Sequence, residues 1–301
     1  MYTMVPPRPR AAGDAPARAG HAARTAVTAV VARRFATPER EHHEAARTFL
    51  RSAVPAAGVV LDATDLRDAR GHAYADMAAA VLGDVLAGRP LDLLVLAHVV
   101  PDLALEDVAT ISAGELVGGV GASFGVSDQG SLAPFTALHL ADVFAARQGL
   151  ARAAVVVVDQ HVLPYRTDRS AAQQLVGDAA VALLLEPAPD AGLRLAHRTG
   201  LHGADDDAWR RAVAAVRDDL VDADAPPPTV VVGAGADTGW LGPLHEVAGD
   251  VTHAGPGYPC SGVWQALAAS SAGTGGAPVL VLEADPLVGA VHGARLAARP
   301  A

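Results

Sequence analysis

The chain runs through one order of strand, helix, strand and strand twice, and this internal repeat constrains its fold more than any other feature. The first copy reads as strand LDLLVLAH, helix SLAPFTALHLA from Ser131, strand AAVVVVDQ and strand AVALLLE. The second reads as strand TVVV, helix CSGVWQALAAS from Cys260, strand PVLVLEAD and a closing GAVHGARLA. The helices superimpose at an offset of 129 residues, pairing Ser131 with Cys260 and Ala137 with Ala266. Strand–helix–strand runs imply crossovers and mostly parallel pairing. The expected fold is therefore a duplicated α/β unit whose two helix starts meet near a pseudo-two-fold axis. Such starts present N–H groups that can hold an oxyanion.

Local signals fill in the rest. Thr25 to Arg33 alternates small and β-branched residues and predicts a strand. Thr37-Pro38-Glu39 predicts a helix start running on to Ala53. Val59 to Asp62 is a short apolar piece, and Tyr74 to Ala87 predicts a helix. Leu91 to His98, bounded by Pro90 and Pro101, is a strand buried on both faces. A helical segment is expected near Leu103 to Ser112. The long helix from Ser131 to Gln148 carries Leu132, Phe135, Leu138, Leu140 and Phe144 on its apolar side. Strands are expected at Ala153 to Val158, Ala179 to Leu185, Leu193 to Thr199 and Thr229 to Val232, with a helix from Asp207 to Val221. Pro187 to Asp190 marks a boundary, giving an N-terminal half of 25–187 and a C-terminal half of 188–301.

Composition prunes the functions open to such a fold. Half the residues are hydrophobic (51%) but only 4% are aromatic, so Ala, Val and Leu must fill a tightly stacked interior. The net charge of −10 argues against nucleic-acid binding, which needs clustered positive charge. The chain has no lysine, which removes Schiff-base, pyridoxal-phosphate and P-loop chemistry. A single cysteine leaves no internal disulfide and no thiolate cluster for a metal. Residues 1–24 are rich in Pro, Ala and Arg with no continuous apolar stretch; a disordered leader is expected, with no signal peptide, no membrane anchor and a cytoplasmic location. Nothing calls for a cofactor.

Against this background, the stretch SFGVSDQGSLAPFTALHLAD from Ser123 to Asp142 resembles the nucleophile segment of ketoacyl-ACP synthase III and the thiolase superfamily. There a Phe-led strand turns into a helix whose first residue is the active cysteine. Gly177-Asp178-Ala179-Ala180 with VALLLE resembles the family's Gly-Asp-Gly-Ala segment, and Ala284 to Leu296 stands in the place of its final hairpin. The resemblance covers roughly residues 25 to 300. It implies a thiolase-like fold: two pseudo-repeated βαβαββ-type halves in a layered α-β-α-β-α architecture, in a protein that dimerises. It also implies a Cys-His-Asn triad, and all three positions depart from it. Ser131 takes the cysteine's place, Gly233 the histidine's and Tyr258 the asparagine's, so ordinary decarboxylative condensation is not expected.

Two functions follow from that departure. In one, Ser131 accepts an acyl group from an acyl carrier protein or CoA thioester and passes it on in secondary metabolism. In the other, the chain is a catalytically silent subunit that pairs with an active ketosynthase. A serine nucleophile needs a base, and His98, at the end of a buried strand, and His161, after VVVVDQ, are the candidates. His139, about two helical turns past Ser131, is the weakest. Each of these histidines has an ordinary structural reading, and Ser131 could merely cap its helix. Cys260 could be a displaced pocket thiol, but a lone cysteine is more often a small buried side chain. Gly233 to Gly239 is only a weak dinucleotide-loop pattern, and Asp205 to Asp207 reads as a helix start in solvent rather than a metal site.

Overall fold

The computed structural model describes residues 25–36, 40–41, 44–56, 70–105, 107–162, 174–188, 192–270 and 277–297. The leader, the Thr37-Pro38-Glu39 helix start and Val59 to Asp62 lie outside them. In chain order the strands are β1 (Thr25–Phe35), β2 (Arg40–Glu41), β3 (Arg70–Gly71), β4 (Leu91–His98), β5 (Val120–Val126), β6 (Ala153–Asp159), β7 (Asp178–Pro187), β8 (Arg194–Thr199), β9 (Thr229–Val232), β10 (Asp250–His253), β11 (Val279–Asp285) and β12 (Ala290–Leu296). The helices are α1 (Glu44–Ala56), α2 (Tyr74–Leu86), α3 (Ala109–Leu116), α4 (Ala133–Gln148), α5 (Asp206–Leu220), α6 (Gly242–His245) and α7 (Gly262–Ala269).

The repeat is realised strand for strand. One sheet runs β1-β7-β6-β4-β5 and the other β8-β12-β11-β9-β10. In each, the two inner neighbours of the crossover are parallel and the next two pairings antiparallel. This matches β6 to β11, β4 to β9, β7 to β12, β1 to β8 and β5 to β10.

Three apolar layers follow from the alternation of the strands. Odd positions of β4, β6 and β7 (Val95, Val155, Val157, Leu183) point inward to α4, α7 and the second sheet. Even positions (Leu94, Val156, Ala182) meet α2 and α3 on the outside. In the second sheet Val230, Leu280 and Val291 meet α5 on the opposite outside. The result is the α-β-α-β-α stack. Every residue of β6 is buried, which suits a β-branched run packed on both faces.

Local departures have physical causes. The helix near Leu103 starts only at Ala109, because Leu103 and Ala104 are spent filling the core. Ser131 lies in a 3-10 turn (Gly130–Leu132), and the α-helix begins at Ala133. In α4, Ala133, Ala137, Ala141 and Ala145 are buried with Phe135 and Leu138, whereas Phe144 is 37% exposed. A helix between two sheets presents its small residues to the closest approach. Phe144 instead packs on Phe124 of β5, with ring centroids 5.4 Å apart.

Candidate functional site

Each central helix begins beside a carboxylate sent across from the other half. Asp285, the last residue of β11, accepts from the Ser131 N–H at 2.9 Å and from the Ser131 hydroxyl at 3.2 Å, and also from the N–H groups of Leu287 and Val288. Asp159, the last residue of β6, accepts from the N–H groups of Cys260 and Ser261 and, at 2.7 Å, from the Ser261 hydroxyl. Asp159 and Asp285 are equivalent under the strand repeat. By these contacts the partner of Ser131 is Ser261, one residue beyond Cys260 in the 129-residue superposition. Gly130 is required at its position: its φ is 54°, and a Cβ there would lie 2.0 Å from Asp285 Oδ2.

Ser131 is 4% exposed and makes no side-chain capping bond to α4. Its hydroxyl is spent on Asp285, so the capping reading gives way to an inter-half clamp. Its N–H is spent on the same carboxylate and is not free to receive an oxyanion.

The space beside Gly233 is filled by a residue that pattern reading overlooked. Glu283 reaches out of β11 so that a Cβ built on Gly233 would lie 1.8 Å from its Oε2. Its Oε1 accepts from the N–H groups of Gly235 and Ala284 at 3.1 and 3.0 Å. Burial pushes the carboxyl up to about 8, and the nearby Asp285 and Asp159 push the same way. At neutral pH Glu283 is therefore a neutral acid, standing where the resemblance expects an imidazole. No other position can supply the expected asparagine, because the chain contains none.

The remaining candidates sit as follows. His98 places Nδ1 2.8 Å from the Val100 carbonyl and its ring 5.1 Å from Tyr74; burial lowers its pKa. His161 and His72 both converge on Asp178, which accepts from their backbone N–H groups and faces their Nδ1 atoms at 2.7 and 2.8 Å. Burial alone would raise the Asp178 pKa, but these bonds outweigh it and hold the carboxyl below its usual range. The same bond raises the pKa of His161. Neither His98 nor His161 is hydrogen-bonded to Ser131. Tyr258 packs under Arg34, whose guanidinium carbon lies 4.7 Å from the ring centroid. Cys260 is fully buried in the central core and in no disulfide. Among the described residues no group of three or more His, Cys, Asp or Glu side chains is placed to hold a metal, and no helix is long and apolar enough to cross a membrane.

With this geometry described, solved structures give the class of fold. The chain is similar to OleA from Xanthomonas campestris with bound lauric acid and lauroyl-CoA: 15% identity, TM-score 0.61, covering 92% of this chain and 100% of that one. It is also similar to 3-oxoacyl-(acyl carrier protein) synthase III, FabH, from Xanthomonas oryzae (16%, TM-score 0.58, 91% and 98%). A third likeness is to the priming β-ketosynthase of the R1128 polyketide pathway (17%, TM-score 0.59, 94% and 98%). No family model and no curated protein matches the chain. The chain therefore has the thiolase-like fold of the ketoacyl-ACP synthase III type.

Proposed function

We propose that this protein is a ketosynthase III-like chain that does not condense and that serves as a silent partner of an active ketosynthase. The observation that carries the reading is Glu283, whose carboxyl fills the space at Gly233 and leaves no room for a side chain there. The paired clamps support it. Asp159 holds Ser261 as Asp285 holds Ser131, so the contact at Ser131 is explained as architecture that recurs in both halves. A partner surface is at hand: among the described residues β5 pairs on one side only, and Ile111 and Leu116 of the neighbouring α3 are exposed at 54% and 61%. Unpaired strand edges and apolar patches invite association.

Co-expression with a ketosynthase, followed by size-exclusion chromatography, tests the reading. A shared peak that raises the partner's turnover is expected. A homodimer that ignores ketosynthases and turns over acyl thioester by itself would refute it. The second reading, a non-condensing acyltransferase working through Ser131 on a carrier-protein or CoA thioester, has one observation in its favour: a carboxylate oxygen 3.2 Å from the hydroxyl. Intact mass after incubation with an acyl-thioester distinguishes the two. An adduct absent from Ser131→Ala favours the transferase.

A further inference from the structure

An open groove of about 580 Å³ lies between the outer edge of β1 and the flank of α7, lined by Val30, Arg34, His253, Tyr258, Gln265 and Ala266 among others. Its volume suits one small molecule. We propose that it binds an amphiphilic carboxylic acid, the carboxylate gripped by Arg34 and the apolar tail laid along Val30 and Ala266.

Arg34 carries the argument because it is tied at Nε and stacked on a ring, yet meets no counter-charge among the described residues. Its Nε donates to Gln265 Oε1 at 2.7 Å, Gln265 Nε2 donates to the Ser261 hydroxyl at 2.8 Å, and that hydroxyl donates to the buried Asp159. The guanidinium plane also packs on Tyr258. Most arginines of the described residues rest on an Asp or Glu, such as Arg152 on Glu186 or Arg217 on Glu246. Arg34 meets none among the described residues. In a chain of net charge −10, a guanidinium tied at Nε whose terminal N–H groups lack a carboxylate among the described residues is a ready bidentate receptor for one.

The rest of the groove selects the tail. From Arg34 back to Val30 the strand covers about 13 Å, and the facing helix contributes Ala266 and Ala269. The first N–H groups of α7 add no anion site, since those of Cys260 and Ser261 are spent on Asp159 and that of Gly262 on the Tyr258 carbonyl. The head group is therefore read by Arg34, with His253 at the rim. This inference stands apart from the silent-partner reading and survives its failure.

Calorimetric titration with octanoate tests it. Saturable one-to-one binding is expected, with no binding of neutral octanamide. Arg34→Gln should weaken octanoate at least tenfold, and Ala266→Phe should block the tail while leaving Arg34 in place. Gln265→Leu keeps the charge but frees the guanidinium, and should weaken binding several-fold. Unchanged melting curves establish that each variant is folded. Equal binding by Arg34→Gln, or none by the wild type, overturns the proposal. Binding of octyl phosphate with exclusion of octanoate overturns the carboxylate assignment.

Discussion

The two halves share a scaffold but differ along one row of side chains. In the first sheet the row across β4, β6, β7 and β1 is Ala97, Val157, Val181 and Ala32. The matching row in the second sheet runs Glu283, His292 and His197, with Gly233, just past the end of β9, beside the Glu283 carboxyl. One row is wholly apolar; the other carries three titratable groups, and Glu283 and His292 are buried enough to be held neutral. Burial and the neighbouring His197 depress His292 to about 4, while burial raises Glu283 to about 8. The clamps at the helix starts, by contrast, recur in both halves as an aspartate at a strand end holding a serine N–H and hydroxyl. What is repeated is architecture, and what is not repeated marks where the chemistry of the fold has been altered.

The largest effects should come from breaking the clamps. Asp159→Ala would strand two N–H groups and a hydroxyl that are all buried, each costing about 1–3 kcal/mol when left unpaired. A loss on the order of 4 kcal/mol is expected in urea unfolding. Asp285→Ala strands one buried N–H and one hydroxyl, while Leu287 and Val288 are near enough to the surface for water to replace the carboxylate. A loss of about 2–3 kcal/mol is expected there. Equal losses would mean that the two halves do not differ in how tightly they are held.

The asymmetric row predicts a coupling and a pH profile. Gly233→Ala should cost about 1–3 kcal/mol through overpacking against Glu283, and most of that cost should vanish in the Glu283→Ala background, a coupling read by a double-mutant cycle. The sign of the pH effect follows from linkage. Glu283 is raised in the folded state, so its contribution is complete below about 4.5 and is lost as pH rises towards about 8. His292 is lowered, so its contribution is complete above about 6.5 and is lost as pH falls towards about 4. The two slopes oppose each other below about 6.5. Above it Glu283 acts with His161, whose raised pKa has the same sign, and stability should fall from about pH 6.5 to 8. Glu283→Gln should remove most of that fall; an unchanged slope would show that the carboxyl is not neutral in the fold.

Much of this was legible in the sequence where local and global signals agreed. Strands β4 and β9 end where their apolar runs end, and β6 runs one residue past its own, because residues buried on both faces leave no ambiguity of period. The strand β10 was not, since DVTH is short, half exposed and shaped by its parallel pairing with β9. The clamps were visible in outline: AAVVVVD and VLVLEAD both close on an aspartate at the same register. Which donor each carboxylate would meet depends on how the halves dock, and no spacing along one chain encodes that. Glu283 was hidden because a lone acid inside an apolar strand reads as a solvent-facing residue until its neighbour is known to be glycine.

The smallest expected effect is the most telling for the two clamps. The Ser261 hydroxyl donates to Asp159 at 2.7 Å and accepts from Gln265 at 2.8 Å, inside a fully buried site. The Ser131 hydroxyl makes one bond of 3.2 Å and is 4% exposed. Removing a hydroxyl that both donates and accepts gives up two bonds, and removing one that only donates gives up one. Ser261→Ala should therefore cost about 2 kcal/mol and Ser131→Ala about 1 kcal/mol. If Ser131→Ala costs nothing, or stabilises the fold, its hydroxyl is not a structural tie, and a functional group kept at some expense to stability becomes the better explanation. The sign of that one small number separates a scaffold serine from a working one.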